Sequence, residues 1–181
     1  PPESTPRQMV EGAPAERCTG QLGGVGPWYD RLAHFRLDDT PSSGQELQSE
    51  YLVPVEVAVA ALDAVATVAD RVAPVLQVSE IRTVAADEQW LSPAYRQDSV
   101  ALHFTWIRDV DRVMPAVRAV EAALVPLGAR PHWGKVFDVA PADVAARYER
   151  LESFAAHVSV LDPGGRFRND FVDRYVFGAD A

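Results

Sequence analysis

Lysine is nearly missing from this chain. Lys135 is the only one, and every other basic residue is an arginine. Positive charge as a whole is scarce, with 17 Lys and Arg against 26 Asp and Glu and a net charge of −9. That balance argues against nucleic acid as a partner, because such binding rests on clustered basic groups neutralising phosphates. It argues equally against anionic membrane surfaces. A single cysteine, Cys18, excludes an internal disulfide framework. No apolar run approaches the roughly 18–20 residues of a membrane-spanning helix. Metal ligands are thin as well: His34, His103, His132 and His157 are dispersed, without a cysteine or carboxylate cluster, so no metal site is expected.

What is present suits a globular fold, since 48% of the 181 residues are apolar and can bury a core. The opening Pro1-Pro2-Glu3-Ser4-Thr5-Pro6 has no initiator Met and no signal core, and reads as an internal stretch of a longer protein. Residues 1–30, rich in Pro, Gly and polar side chains, are expected to be a flexible connector. The run Gly20-Gln21-Leu22-Gly23-Gly24-Val25-Gly26 lacks the Lys-Ser/Thr of a phosphate loop, and Pro27 stands where a helix would open.

Order is expected from about residue 31. Tyr29–Leu37 suits a short strand, closed by the turn cluster from Asp38 to Gly44. Residues 46–53 read as a strand entering a helix at Pro54, where a missing N–H costs nothing. Val55, Val59, Leu62, Val65, Ala69 and Val72 recur at helical spacing and predict the face that meets the core, with Pro74 ending the helix. Residues 75–84 and 99–107 are strand-like, joined by a polar loop around 89–98. A second helix follows, with Asp111 as N-cap, a stripe of Met114, Val117, Val120 and Leu124, and Gly128 as its C-cap. A short strand near 129–133 completes the set. The order strand–helix–strand–strand–helix–strand predicts an α+β fold, a ferredoxin-like split β-α-β unit: an antiparallel sheet with both helices on one face. A third helix is predicted over 141–158, part of a C-terminal helical tail.

Side chains two apart on a strand share a face. Val100, Leu102, Phe104 and Trp106 therefore form the face toward the helices, which leaves Ala101, His103 and Thr105 on the other. If Ile81 also faces the helices, Glu80 and Arg82 join His103 and Thr105 on the open face. Such a mixture of donors and acceptors suits a ligand with several hydroxyls. It also suits a solvated Glu–Arg pair, which stabilises little, beside a structural histidine. Lys135, after Trp133 and Gly134 at a strand exit, fits either a ligand contact or an ordinary edge-strand lysine.

Pro131-His132-Trp133-Gly134-Lys135 resembles the His-Trp-Gly-Lys signature of the aldonolactone oxidase family, within the vanillyl-alcohol-oxidase superfamily. Ser79-Glu80-Ile81-Arg82 resembles the family's Glu-x-Arg substrate strand. Leu161-Asp162-Pro163-Gly164-Gly165-Arg166-Phe167-Arg168-Asn169 resembles its Leu-Asp-Pro-x-Gly-x-Phe-x-Asn ending, and Leu102-His103-Phe104-Thr105-Trp106 is similar to a strand of bacterial alditol (xylitol/sorbitol) oxidases. The resemblance runs in order from about Cys18 to the end. It implies an FAD-dependent, cytoplasmic oxidase that takes hydride from a polyol carbon and passes electrons to dioxygen, giving hydrogen peroxide. By position, Arg82 and Lys135 would hold the hydroxyl being oxidised, Glu80 and Thr105 the more distant hydroxyls, and His103 would line the same cavity. Either Lys135 or His103 could accept the proton.

The same resemblance implies that residues 31–135 are a substrate-binding cap. Residues 136–181 would return to an N-terminal FAD-binding domain that lies outside this chain. The partners are then a small polyol and that domain, and no cofactor-binding residue is expected here. The chain alone is expected to bind no FAD and to be inactive. The alternatives are an aldonolactone oxidase or dehydrogenase of the same family, and a stand-alone carbohydrate-binding or regulatory module built on a ferredoxin-like sheet.

Overall fold

The computed structural model describes residues 25–27 and 44–178. Cys18, the strand expected at Tyr29–Leu37 and most of the expected connector lie outside the described residues. The chain divides after Glu46, and the architecture below is that of the second unit, Leu47–Ala181.

Its centre is a four-stranded sheet in the order β2-β3-β1-β4, made of β1 (Glu46–Pro54), β2 (Leu76–Val84), β3 (Ser99–Ile107) and β4 (Arg130–Pro131). The pairs β1·β4 and β2·β3 are antiparallel. This is the expected α+β sheet with helices packed against it, and the strand order is that of a split β-α-β unit. Only the last strand is much shorter than predicted. After His132, whose N–H still donates to the Glu50 carbonyl (2.9 Å), the chain turns, with the Lys135 N–H donating to the His132 carbonyl (3.1 Å), and it regains β1 through Val136 N–H to Gln48 O (2.8 Å).

The helix-facing side of the sheet carries Tyr51, Val53, Val100, Leu102, Phe104 and Trp106, all buried. Phe104 and Trp106 stack, with ring centroids 5.2 Å apart. The Trp106 indole N–H donates to Ser49 Oγ (3.0 Å), whose own hydroxyl donates to the Val136 carbonyl (2.8 Å), so the buried polar atoms are satisfied. Against this layer lie α1 (Ala58–Ala66), α2 (Ala69–Val72) and α3 (Val110–Leu124).

The predicted first helix is corrected twice. It breaks at Thr67–Val68 into α1 and α2, and its core face is Ala61 and Val72, helped by Ala58, Val65 and Val68. Val55, Val59 and Leu62 point to solvent instead. Both stripes have helical spacing and share Val65 and Val72; the observed one turns Ala58 and Ala61, in place of Val59 and Leu62, toward the core. The cap of α3 is Asp109, not Asp111: its carboxylate accepts the Arg112 N–H (3.1 Å). Gly128 does close that segment, in the left-handed conformation at φ +82° after a short 3-10 turn.

One carboxyl is buried in this layer. Glu121 of α3 accepts the Tyr51 hydroxyl (2.8 Å) and the Asp138 N–H (2.8 Å) at the same oxygen. Burial nonetheless raises the Glu121 pKa above its usual 4.5, with those two hydrogen bonds opposing it. Burial, aided by the Glu121 charge, also pushes the Tyr51 phenol up.

The predicted 141–158 helix is two, α4 (Pro141–Ala145) and α5 (Leu151–Leu161), followed by α6 (Asp170–Val176) with Asn169 as its cap. The chain breaks around Tyr148 because that residue turns inward: its ring is buried against Trp133 and its hydroxyl donates to the Pro131 carbonyl (3.0 Å). Val139, Val144, Tyr148, Leu151 and Tyr175 form a second core, joined by Trp133 and Phe137. Among the described residues no helix is long and apolar enough to cross a membrane.

Candidate active site

The face of the sheet away from the helices is covered at one end, and at the other Glu80, Arg82 and Lys135 are partly exposed over a buried Glu50 and His103. The loop 85–98 folds over it, packing Ala94 against Leu52 and Ala101. This loop is pinned from β4: the Arg130 guanidinium donates to the carbonyls of Pro93 (3.2 Å) and Tyr95 (2.9 Å). The Trp133 indole N–H donates to the Leu91 carbonyl (2.9 Å). The residues just before Lys135 therefore hold the loop, and Lys135 itself is left to reach across the sheet.

The β2·β3 register sets Glu80 opposite His103 and Arg82 opposite Ala101. Partners in an antiparallel pair share a face, so Glu80 and Arg82 stand beside His103 as expected. Ile81 pairs with Leu102 on the helix side but stays 60% exposed on β2, the edge strand. The Arg82 guanidinium meets Glu80 through Nη2 (2.8 Å) and Nε (3.0 Å) at one carboxylate oxygen. His103 Nε2 lies 3.2 Å from Thr105 Oγ1. Lys135 Nζ comes 2.9 Å from His103 Nδ1. The structure thus brings together all five predicted site residues: Glu80, Arg82, His103, Thr105 and Lys135.

A sixth group sits at their centre and was not anticipated. Glu50 of β1 is almost buried, with a side chain 8% exposed, and one oxygen, Oε2, faces three cationic or donor groups. It accepts from Lys135 Nζ, lies 3.0 Å from His103 Nδ1 and 3.9 Å from Arg82 Nη1. Burial alone would raise this carboxyl. The hydrogen bonds with His103 and Lys135, and the charges of Lys135 and Arg82, outweigh that and hold it at about 2. The alternation of β1 carried a signal: Ser49, Tyr51 and Val53 belong to the core face, which puts Glu50 on the same side as His103. The predicted split β-α-β order also sets β1 beside β3, so the pattern that points to Glu50 is present in the sequence.

His132 of the signature is less involved. Burial and the nearby Lys135 charge lower its pKa, and its Nδ1 accepts the Gly134 N–H (3.1 Å), a bond that shapes the turn. No group of three or more His, Cys, Asp or Glu side chains among the described residues could hold a metal ion.

Chemically, the cluster presents two cations to the open side, Arg82 at 42% exposure and Lys135 at 17%, backed by two carboxylates that stop them from repelling each other. Cationic donors fixed in this way stabilise negative charge on an oxygen placed between them without reorganising. Glu80, 22% exposed, and the Thr105 hydroxyl extend the polar strip along β2 and β3.

Residues 43–175 match the family model described as D-arabinono-1,4-lactone oxidase. The chain is 55% identical over 171 residues to an alditol oxidase from a Streptomyces species, covering 94% of this chain and 41% of that protein. It is 34% identical over 130 residues to an L-gulono-1,4-lactone dehydrogenase of Mycobacterium tuberculosis, covering 70% of this chain and 30% of the relative. An L-gulonolactone oxidase of Scyliorhinus torazame is 32% identical over 101 residues, covering 54% of this chain and 23% of that protein. The chain thus spans less than half the length of the relatives it matches.

Proposed function

The chain belongs to the D-arabinono-1,4-lactone oxidase family, and from that premise we propose that it is the substrate-holding part of an FAD-dependent alditol oxidase. The reaction in this reading oxidises a terminal hydroxyl of an alditol such as xylitol or sorbitol and reduces dioxygen to hydrogen peroxide, in the cytoplasm. The observation that carries it is the convergence of Arg82, Lys135 and His103 on one sheet face, the two cations partly exposed and His103 buried behind them, with Glu80 and Thr105 alongside. Loss of hydride from carbon requires its hydroxyl to shed a proton. Arg82 and Lys135 would hold that oxygen, favour its alkoxide-like form and fix its orientation. Glu80 and Thr105 would take the further hydroxyls, which need acceptors as well as donors.

The donors on this face are single side chains suited to one oxygen. They are not the row of backbone N–H groups that cradles a pyrophosphate, so the residues of this site do not fit FAD. The cofactor in this reading is held by an N-terminal domain of the longer protein. Residues 31–135 are then the cap and 136–181 the segment that returns to that domain. Exposed apolar side chains on that segment, Val160, Leu161, Phe167 and Phe171, support this, since they need a cover. By itself the chain binds no FAD and oxidises nothing.

An alditol is favoured over a lactone by the higher identity to the Streptomyces alditol oxidase. The lactone oxidases and dehydrogenases among the relatives supply the second reading. The experiment is a screen of alditols and aldonolactones on the full-length protein with peroxide as the readout. Peroxide from xylitol or sorbitol is expected. Turnover of aldonolactones alone would transfer the assignment to the second reading, and turnover of neither would refute both.

A further inference from the structure

Glu50 has no part in the roles just given, yet the cluster is built around it. Its Oε2 faces the ring nitrogen Nδ1 of His103 at 3.0 Å and accepts from Lys135 Nζ. A buried carboxylate persists only when paired and hydrogen-bonded, and with Glu80 it balances the charges of Arg82 and Lys135 while His103 is neutral. The ring then has two possible tautomers. With the proton on Nε2, the lone pair of Nδ1 would point at a carboxylate oxygen that carries only lone pairs. With the proton on Nδ1, the ring donates to Glu50. The ammonium of Lys135, 2.9 Å from the same nitrogen, is a rotor that can turn its hydrogens toward Glu50 and the open side. Each tautomer leaves one opposed contact, since an unprotonated Nδ1 accepts from Lys135 but faces Glu50 with its lone pair, whereas an Nδ1–H donates to Glu50 but faces the ammonium. The second gives the buried carboxylate two donors in place of one.

Building on the oxidase reading, we propose that Glu50 is a positioning residue that anchors Lys135 as a charged donor and fixes His103 as the Nδ1–H tautomer. Nε2, on the Thr105 side, is then the one ring nitrogen able to accept a proton. Lys135, held as the ammonium, orients the substrate oxygen and does not act as the base. Glu50 itself touches no substrate: it works from behind, through the two side chains it holds.

The test uses the full-length protein with 15N-labelled histidine, and His103→Asn to assign the ring signals. The wild-type His103 ring is expected to show a protonated Nδ1 and an unprotonated Nε2. Glu50→Gln, similar in shape but uncharged, should disturb that pattern and lower kcat by about 100-fold, the scale of a small misplacement of reacting groups. KM should change far less, and the acid limb of the kcat–pH profile should move. Glu50→Asp, which keeps the charge, should recover part of the rate. A wild-type ring protonated on Nε2 would overturn the proposal even if Glu50→Gln failed to fold. So would a folded Glu50→Gln with an unchanged tautomer, rate and pH profile. The ring signals decide this inference whatever the substrate screen returns, so the two readings fail separately.

Discussion

Replacing Tyr51 by Phe should destabilise the fold by an amount that depends on pH. The ring is completely buried and packs edge-on to Phe104, with centroids 6.4 Å apart, and a phenylalanine keeps that packing. Only the hydroxyl is lost, and with it the 2.8 Å bond to Glu121. A hydrogen bond to a charged acceptor contributes about 1.5–3 kcal/mol, a neutral one about 0.5–1.5 kcal/mol. The Asp138 N–H remains on the carboxyl, so the loss should fall toward the lower part of the charged range near neutral pH.

The pH dependence follows from Glu121. Its folded pKa is already raised above 4.5, chiefly by burial. The native state therefore holds this proton more tightly than the unfolded chain, and ionising the group costs stability as pH rises from 4.5 through the raised value. Removing the Tyr51 hydroxyl takes away one interaction that opposes the rise, so the pKa goes higher still. The deficit of Tyr51→Phe should thus be small at pH 4.5 and grow as pH rises through that window. Denaturant unfolding followed by tryptophan fluorescence at several pH values measures it, with Trp106 as the core reporter. An equal deficit at all pH values, or none near neutrality, would refute the reasoning.

Leu124→Ala empties a fully buried position of α3 and should cost about 2–5 kcal/mol in the same unfolding measurement. Glu50, held at about 2 against an ordinary 4.5, contributes stability that is present above 4.5 and lost as pH falls through about 2. Acid unfolding of Glu50→Gln should accordingly be less steep in that range. In the full-length protein Lys135→Ala and Arg82→Ala should depress turnover far more than Thr105→Ala, by about 10²-fold or more. Equal losses in steady-state assays would contradict the division of roles.

Much of the sheet was legible because its signals were redundant. In β3, the alternation of Val100, Leu102, Phe104 and Trp106 against His103 and Thr105 has one consistent solution, and the strand limits 99–107 were met. Helix α1 was less legible: both faces are apolar at helical spacing, and only packing against α3 chooses Ala61 over Val59. The tail was misread as one helix because Tyr148 continues the stripe of Val144 and Leu151, although its hydroxyl is drawn to a carbonyl of β4. At the site, the five residues brought in by resemblance came together, whereas Glu50 was missed. Its importance comes from strand order, which places β1 between β3 and β4; the split β-α-β unit implies that order, but Glu50 belongs to none of the motifs that carry the resemblance.

That placement of β1 also bears on the order of folding. The β2·β3 pair is joined by its own loop and can form early. Glu50 must meet His103 across 53 positions of chain and Lys135 across 85. Contacts of such separation demand loop closure before they return anything, and they tend to form late. The polar cluster is therefore a closing clasp: it can assemble only once the first strand has slid between the third and the fourth. A chain trapped before that step would hold its hairpin, with Arg82 still paired to Glu80, and leave Lys135 without its carboxylate, so completion of the charge cluster would mark the last act of folding.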